Sequence, residues 1–116
     1  MQFYGYDRCA TCRKAKAWLR ARGVDFEDLD ITTQPPPASL LRDILESGAS
    51  SLRGLFNTSG ELYREMGLKD QLPTLTEDRA VALLAAQGRL CKRPIVTRGD
   101  RHTVGFDEAR FQAAWG

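Results

Sequence analysis

The tetrapeptide Cys9-Ala10-Thr11-Cys12 sits where strand-like sequence gives way to helix-like sequence, and this juncture constrains the fold more than anything else in the chain. Before it, Gln2-Phe3-Tyr4-Gly5-Tyr6 is short and aromatic-rich, which suits a β-strand. Asp7-Arg8 turns the chain. From Ala10 to Arg22 the residues are mostly good helix formers, with Ala15, Trp18 and Leu19 apolar and basic residues between them. Gly23 stands where a helix C-cap glycine belongs. Val24 to Ile31 alternates, imperfectly, like a second strand. Strand, helix, strand is a parallel crossover unit, here with a Cys-x-x-Cys at its strand-to-helix turn.

The middle of the chain has a different character. Pro35-Pro36-Pro37 breaks it. Ala38 to Glu46 reads as a helix with Leu40, Leu41, Ile44 and Leu45 on one face. Ser47 to Ser51 is a polar loop, and Leu52 to Phe56 a short helical turn. Thr58 or Ser59 is placed to cap a helix through Met66 that Gly67 ends. Pro73-Thr74 interrupts again. Thr76 opens a helix to Gln87, with Ala80, Val81, Leu83 and Leu84 apolar, and Gly88 closes it. Residues 33–87 are thus mostly helical. Strand periodicity returns in Pro94 to Arg98 and in His102 to Phe106, with Gly99-Asp100 as a hairpin turn. Asp107 is a good N-cap for a last helix to Ala114.

A length of 116 residues fits one domain. At 42 % hydrophobic and 28 % charged residues the chain reads as an ordinary globular protein rather than a disordered tail. A net charge of +2 gives no broad positive field, which argues against direct nucleic-acid binding. No apolar run approaches the roughly 18–20 residues that span a bilayer. The first residues lack a basic lead followed by an apolar stretch, so no secretory signal is visible and a cytoplasmic location is expected. The three cysteines, Cys9, Cys12 and Cys91, do not form the even set that staples a small secreted domain. In a reducing compartment the Cys-x-x-Cys points to chemistry or metal rather than a structural bridge.

Cys9 lies at a helix start, where free amide hydrogens and roughly half a positive charge favour a thiolate. Arg8, Arg13 and Lys14 add positive potential nearby. Such surroundings lower a cysteine pKa from about 8.5 toward roughly 3.5–7.5. Cys12, one helical turn on, is spaced to resolve a mixed disulfide by pairing with Cys9. The bland alternative is two small buried residues at a helix start. A zinc site would need Cys91 and His102 as further ligands, without paired spacing, and none is expected.

Pro94 is sterically suited to a strand entrance, and its cis or trans state is not readable from sequence. Lys92-Arg93 is either a solvated basic corner or an anion-holding pair near the thiol. Cys91 reads better as a small core residue than as a third reactive thiol. His102 reads as an exposed strand residue. The helix faces at Leu40-Leu41-Ile44-Leu45 and Ala80-Val81-Leu83-Leu84 read as core.

Cys9-Ala10-Thr11-Cys12-Arg13-Lys14-Ala15 after a first strand resembles the opening of the arsenate reductase/Spx family. Asn57-Thr58-Ser59-Gly60, Tyr63-Arg64 and Gly67-Leu68 resemble its central segment, and Lys92-Arg93-Pro94-Ile95-Val96 its Arg-Pro-Ile signature. The resemblance runs over essentially the whole chain. It implies an α/β, thioredoxin-like fold: a four-stranded mixed sheet flanked by helices, with residues 1–32 and 88–116 as core and 33–87 as an inserted helical subdomain. It implies that Cys9 faces a cis Pro94 and that Arg93 stabilises the thiolate or an anion.

Glutaredoxin-coupled arsenate reductases of this family use three arginines around the oxyanion. Only Arg93 matches, with Asn57 and Phe106 at the other two positions. The Cys-x-x-Cys instead resembles the Spx branch, whose members bind RNA polymerase and sense oxidation through that pair.

The expectation is therefore a monomeric cytoplasmic thiol–disulfide redox protein. Cys9, Cys12 and Arg93 are its catalytic residues, and Lys92, Pro94, Arg13 and Asn57 shape the substrate site. No cofactor is expected beyond a reductant, which is glutathione, glutaredoxin or thioredoxin. A redox-sensing regulator that binds RNA polymerase is the first alternative and an arsenate reductase the second.

Overall fold

A computed structural model describes residues 1–116. Strand β1 (Gln2–Gly5), helix α1 (Ala10–Ala21) and strand β2 (Glu27–Asp30) form the crossover unit. The strands pair in parallel, from Gln2 opposite Glu27 to Gly5 opposite Asp30. Strand β3 (Ile95–Arg98) adds antiparallel to β1, and β4 (Arg101–Val104) antiparallel to β3 through the Gly99-Asp100 turn. The order β2-β1-β3-β4 makes the four-stranded mixed sheet that the resemblance implied.

Helix α1 stops where its sequence says it should. Gly23 takes a left-handed φ of +70°. Its N–H donates to the Arg20 carbonyl at 3.0 Å, and the Val24 N–H donates to the Leu19 carbonyl at 3.0 Å. This pair of bonds satisfies the last carbonyls of the helix. It also occupies Val24, so β2 begins at Glu27 rather than at Val24.

Period-two alternation gives the sheet two apolar faces. Phe3 and Val96 point to one, under α1 and the C-terminal helix α6 (Glu108–Trp115). Cys12, Ala15, Trp18 and Leu19 from α1 pack there with Phe111 and Trp115. Trp18 meets Phe111 edge to face at 5.5 Å. Burying each such side chain contributes about 1.5–3 kcal/mol. Asp107 caps α6 as the sequence predicts, its carboxylate accepting the Arg110 N–H at 3.1 Å.

Tyr4, Ile95 and Val104 point to the other face, which the helical segment covers. That segment holds α2 (Ala38–Ser47), a 3-10 turn at Arg53–Leu55, α3 (Glu61–Glu65), α4 (Leu68–Gln71), a second 3-10 turn at Leu72–Thr74, α5 (Glu77–Ala86) and a third at Gly88–Leu90. Leu41 and Ile44 of α2 and Ala80, Val81 and Leu84 of α5 are buried in this core. Thr76 accepts the Arg79 N–H at 3.2 Å, so the start of α5 is also where its sequence places it. No helix is long and apolar enough to cross a membrane.

Three expectations need correction. Neither Thr58 nor Ser59 caps α3; Gly60 precedes it without a side-chain bond, because the Gly60 N–H turns back to the Asn57 carbonyl at 3.0 Å. Gly88 does not close α5, which ends at Ala86; it opens the next 3-10 turn. Glycine is needed there for space, since a Cβ would lie 1.6 Å from the Ile31 carbonyl oxygen. His102 is buried, not exposed. Alternation puts it on the same face as Val104, under the helical segment, and its Nδ1 lies 2.6 Å from Thr97 Oγ1 on the neighbouring strand.

Candidate active site

The β1–α1 turn places Cys9 at the N-cap of α1, with extended backbone at φ −87° and ψ 117°. The Cys9 N–H donates to the Tyr6 carbonyl at 3.0 Å, and its carbonyl accepts the Arg13 N–H at 3.1 Å, the first bond of the helix. The Cys12 N–H donates to Cys9 Sγ at 3.4 Å. Sulfur thus takes the capping role that a serine or aspartate oxygen usually fills. The first turn of α1 carries no acidic residue to repel a thiolate.

These contacts set the ionisation of the pair. Burial pushes the Cys9 thiol up, but the bond from the Cys12 amide, the neighbouring Cys12 thiol and the nearby Arg93 guanidinium carry it below its ordinary value. Cys12 behaves in the opposite way. It is fully buried, and burial, reinforced by the hydrogen bond and charge of Cys9, pushes its thiol up to about 12. The partly accessible sulfur is therefore the one that ionises, and the shielded one keeps its proton.

Arg93 stands at the entrance to β3. The Arg93–Pro94 peptide bond is cis. Pro94 is buried, and its carbonyl accepts the Gly105 N–H at 2.8 Å. The half-buried Arg93 guanidinium lies over the Tyr6 ring, 5.5 Å from its centroid. Both residues line a cavity of about 340 Å³, with Thr32, Asn57, Glu61 and Arg89 among the other walls. A larger depression of about 500 Å³ opens beside Gln2, Glu27 and Arg98, at the far end of β1, and contains no thiol.

The structure thus joins Cys12 to Cys9, places Arg93 where its charge lowers the Cys9 pKa, and sets Asn57 with Arg93 in the cavity wall. It does not bring Lys92 and Arg13 into that cavity. Lys92 is exposed, with its stem against Gly105. Arg13 donates to the Asp7 carbonyl at 2.9 Å and so braces the turn that carries Cys9. Phe106 packs edge to face on Phe111 at 4.8 Å and presents no charge. Cys91 is a core residue; burial pushes its thiol up to about 12, and it donates to the Leu84 carbonyl at 3.6 Å. No three His, Cys, Asp or Glu side chains converge as metal ligands.

Sequence reasoning missed Tyr6, Thr32, Glu61 and Arg89 as cavity walls. They come from four separate segments, and only Tyr6, beside the Cys9 turn, carried a local signal. Also missed was Lys16. Its ammonium is buried within α1's inner face and lies 3.0 Å from Asp7 and 2.6 Å from Asp28.

Known proteins match this chain over nearly its full length. Protein YusI of Bacillus subtilis (strain 168) is 44 % identical over 115 residues, covering 99 % of this chain and 98 % of its own. Global transcriptional regulator Spx 1 of Lactococcus lactis subsp. lactis is 30 % identical over 105 residues, covering 90 % of this chain and 80 % of its own. Among solved structures, a possible arsenate reductase from Streptococcus mutans UA159 superposes with a TM-score of 0.89 at 42 % identity, covering 97 % of this chain and 95 % of its own. The superposition extends over the whole α/β, thioredoxin-like fold. The ArsC family model matches residues 4–114, from β1 through α6, and the chain belongs to the ArsC family.

Proposed function

We propose that this protein is a thiol–disulfide oxidoreductase in which Cys9 attacks and Cys12 resolves. The observation that carries the reading is Cys9 at the N-cap of α1, its Sγ accepting the Cys12 N–H at 3.4 Å, with the Arg93 charge favouring its thiolate. The Cys9 thiolate attacks one sulfur of a substrate disulfide. The S–S bond breaks, the distal half leaves as a thiolate and takes up a proton, and a mixed disulfide forms. Cys12 then loses its proton and attacks Cys9 Sγ, releasing the second thiol and leaving a Cys9–Cys12 disulfide. The substrate gains two electrons and the protein loses two. A cytoplasmic dithiol or thiol system, such as thioredoxin, glutaredoxin or glutathione, returns the pair to its reduced form. Pro94 forms the wall against which the substrate chain lies, and the protein acts as a monomer.

Intact mass measurement after mild peroxide tests the pairing. A loss of two hydrogens mapped to Cys9–Cys12 supports it. A Cys9–Cys91 link would overturn the assignment of the resolver. In Cys12→Ser, the mixed disulfide with substrate should accumulate.

A regulatory reading has its own support in the 30 % identity to Spx 1, with the same pair serving as a switch and RNA polymerase as the partner. Pull-down from extract with reduced and oxidised protein separates the two, since polymerase in neither eluate removes this alternative. Arsenate reduction has less support, because Asn57 and Phe106 stand where the resemblance to arsenate reductases calls for the other two arginines. Turnover of arsenate with glutaredoxin would restore it.

A further inference from the structure

We propose that the cavity beside Cys9 is a subsite for the carboxylate of a small organic disulfide, gripped by Arg89 and Arg93. The proposal rests on the redox reading above and names the substrate class it serves. Three observations lead to it.

The first is unspent charge. The ion pairs of the chain join Lys16 to Asp7 and Asp28, and Arg42 to Asp78. Arg89, Arg93 and Glu61 line the cavity and belong to none of them. Two arginines against one glutamate leave the walls net positive. A planar guanidinium fork matches a carboxylate with two parallel hydrogen bonds. Glu61 leaves an acceptor for an amide or ammonium elsewhere on the ligand.

The second is connection to the nucleophile. The Tyr6 carbonyl accepts the Cys9 N–H at 3.0 Å, the Arg93 guanidinium lies over the Tyr6 ring at 5.5 Å, and both Tyr6 and Arg93 are walls of the cavity. A ligand anchored there presents its disulfide beside Cys9.

The third is that the anchor is rigid at its backbone. Gly88 packs so closely on the Ile31 carbonyl that no Cβ fits between them. The Leu90 carbonyl accepts the Asn57 N–H at 2.7 Å. Both neighbours of Arg89 are thereby pinned, one next to Thr32 and the other next to Asn57, which are themselves cavity walls. The volume, about 340 Å³, lies in the range of small organic ligands, roughly 300–1,000 Å³.

The test compares two disulfides with the reduced full-length protein at pH 7. The anionic probe is 3,3′-dithiodipropionate and the neutral one bis(2-hydroxyethyl) disulfide. Each rate of protein oxidation, followed by mass spectrometry, is divided by the rate of the same disulfide with a small free thiol. The anionic probe should be favoured about tenfold, and Arg89→Gln should cut that ratio at least several-fold. Arg110→Gln, on α6 and outside the cavity, should leave the ratio alone. Equal normalised rates, or a ratio indifferent to Arg89→Gln, would overturn the proposal. So would inorganic phosphate, at matched ionic strength, suppressing both probes equally, since the cavity would then be an inorganic oxyanion pocket. Should Cys9 react with neither disulfide, the redox reading fails, and the subsite is decided by NMR titration with the unreactive thioether 3-(methylthio)propionate. Shifts at Asn57, Arg89 and Arg93 that vanish in Arg89→Gln sustain it, and their absence removes it.

Discussion

Lys16 Nζ lies 2.6 Å from a carboxylate oxygen of Asp28, joining the inner face of α1 to the edge strand β2. The same ammonium reaches Asp7 at 3.0 Å, on the turn that leads to Cys9, and sits 5.5 Å from the Phe3 ring centroid. A lysine is buried this deeply only when paired. Its partners are not buried: the Asp7 side chain is 92 % exposed and that of Asp28 42 %. The two halves of the pair should therefore differ in cost. Asp28→Ala leaves the ammonium to Asp7 alone and should destabilise by about 1–3 kcal/mol. Lys16→Met keeps the apolar stem and lets both carboxylates rehydrate, so it should cost within about 1 kcal/mol. Urea unfolding of the two variants checks the order, and a reversed order contradicts this account of the network.

Cys9 should alkylate with a midpoint below that of an unstructured thiol, about 8.5. Arg93→Met removes the guanidinium that favours the thiolate, so the midpoint should rise and the rate at pH 7 should fall several-fold. The linkage has a definite sign. A thiol whose pKa is lowered by folding adds stability that is present above its unfolded pKa and is lost as pH falls through the folded value. The check is the pH profile of iodoacetamide incorporation at Cys9, measured on native and urea-unfolded protein.

Cys12 and Cys91 carry the opposite sign. Burial, in each case the largest influence, pushes them up to about 12. The unfolded chain releases their protons above about pH 8.5, while the folded chain holds them. Stability should therefore fall as pH rises from there toward 12. Each thiol contributes up to about 1.4 kcal/mol per pH unit within that window. Cys91→Ala removes one of the two, so a plot of unfolding free energy against pH should become shallower by about one proton. An unchanged slope would mean that Cys91 ionises as easily in the fold as out of it.

Gly88→Ala tests the contact between the last 3-10 turn and the end of β2. The added methyl would meet the Ile31 carbonyl oxygen at 1.6 Å and its carbon at 2.7 Å, and backbone atoms cannot step aside as a flexible side chain can. A loss of about 3 kcal/mol or more is expected, read as a fall in thermal midpoint. Gly23→Ala meets no neighbour and should cost less, only what a left-handed φ imposes on a side chain, about 1–2 kcal/mol.

Residues 1–31 announce their own structure because each signal there is local. The aromatic strand, the helix formers after Cys9 and the Gly23 stop all act within a few residues of one another. The same holds for Thr76 and Asp107, whose side chains cap the turn directly following them. Thr58 and Ser59 have the same chemistry but fail to cap, because a backbone bond from Gly60 to Asn57 takes the chain past them.

The sequence by itself determined the element order, the position of Cys9 at a helix start and the spacing that sets Cys12 beside it, since these follow from propensity, capping and the 3.6-residue turn. Only the tertiary structure decided that Arg93 and not Arg13 favours the thiolate, that His102 and Lys16 are buried, and that Arg89 shares a cavity with Arg93. Those outcomes depend on which faces are covered when segments far apart in the chain pack together. Burial and electrostatic partnership are properties of that packing, and no short stretch of residues encodes them.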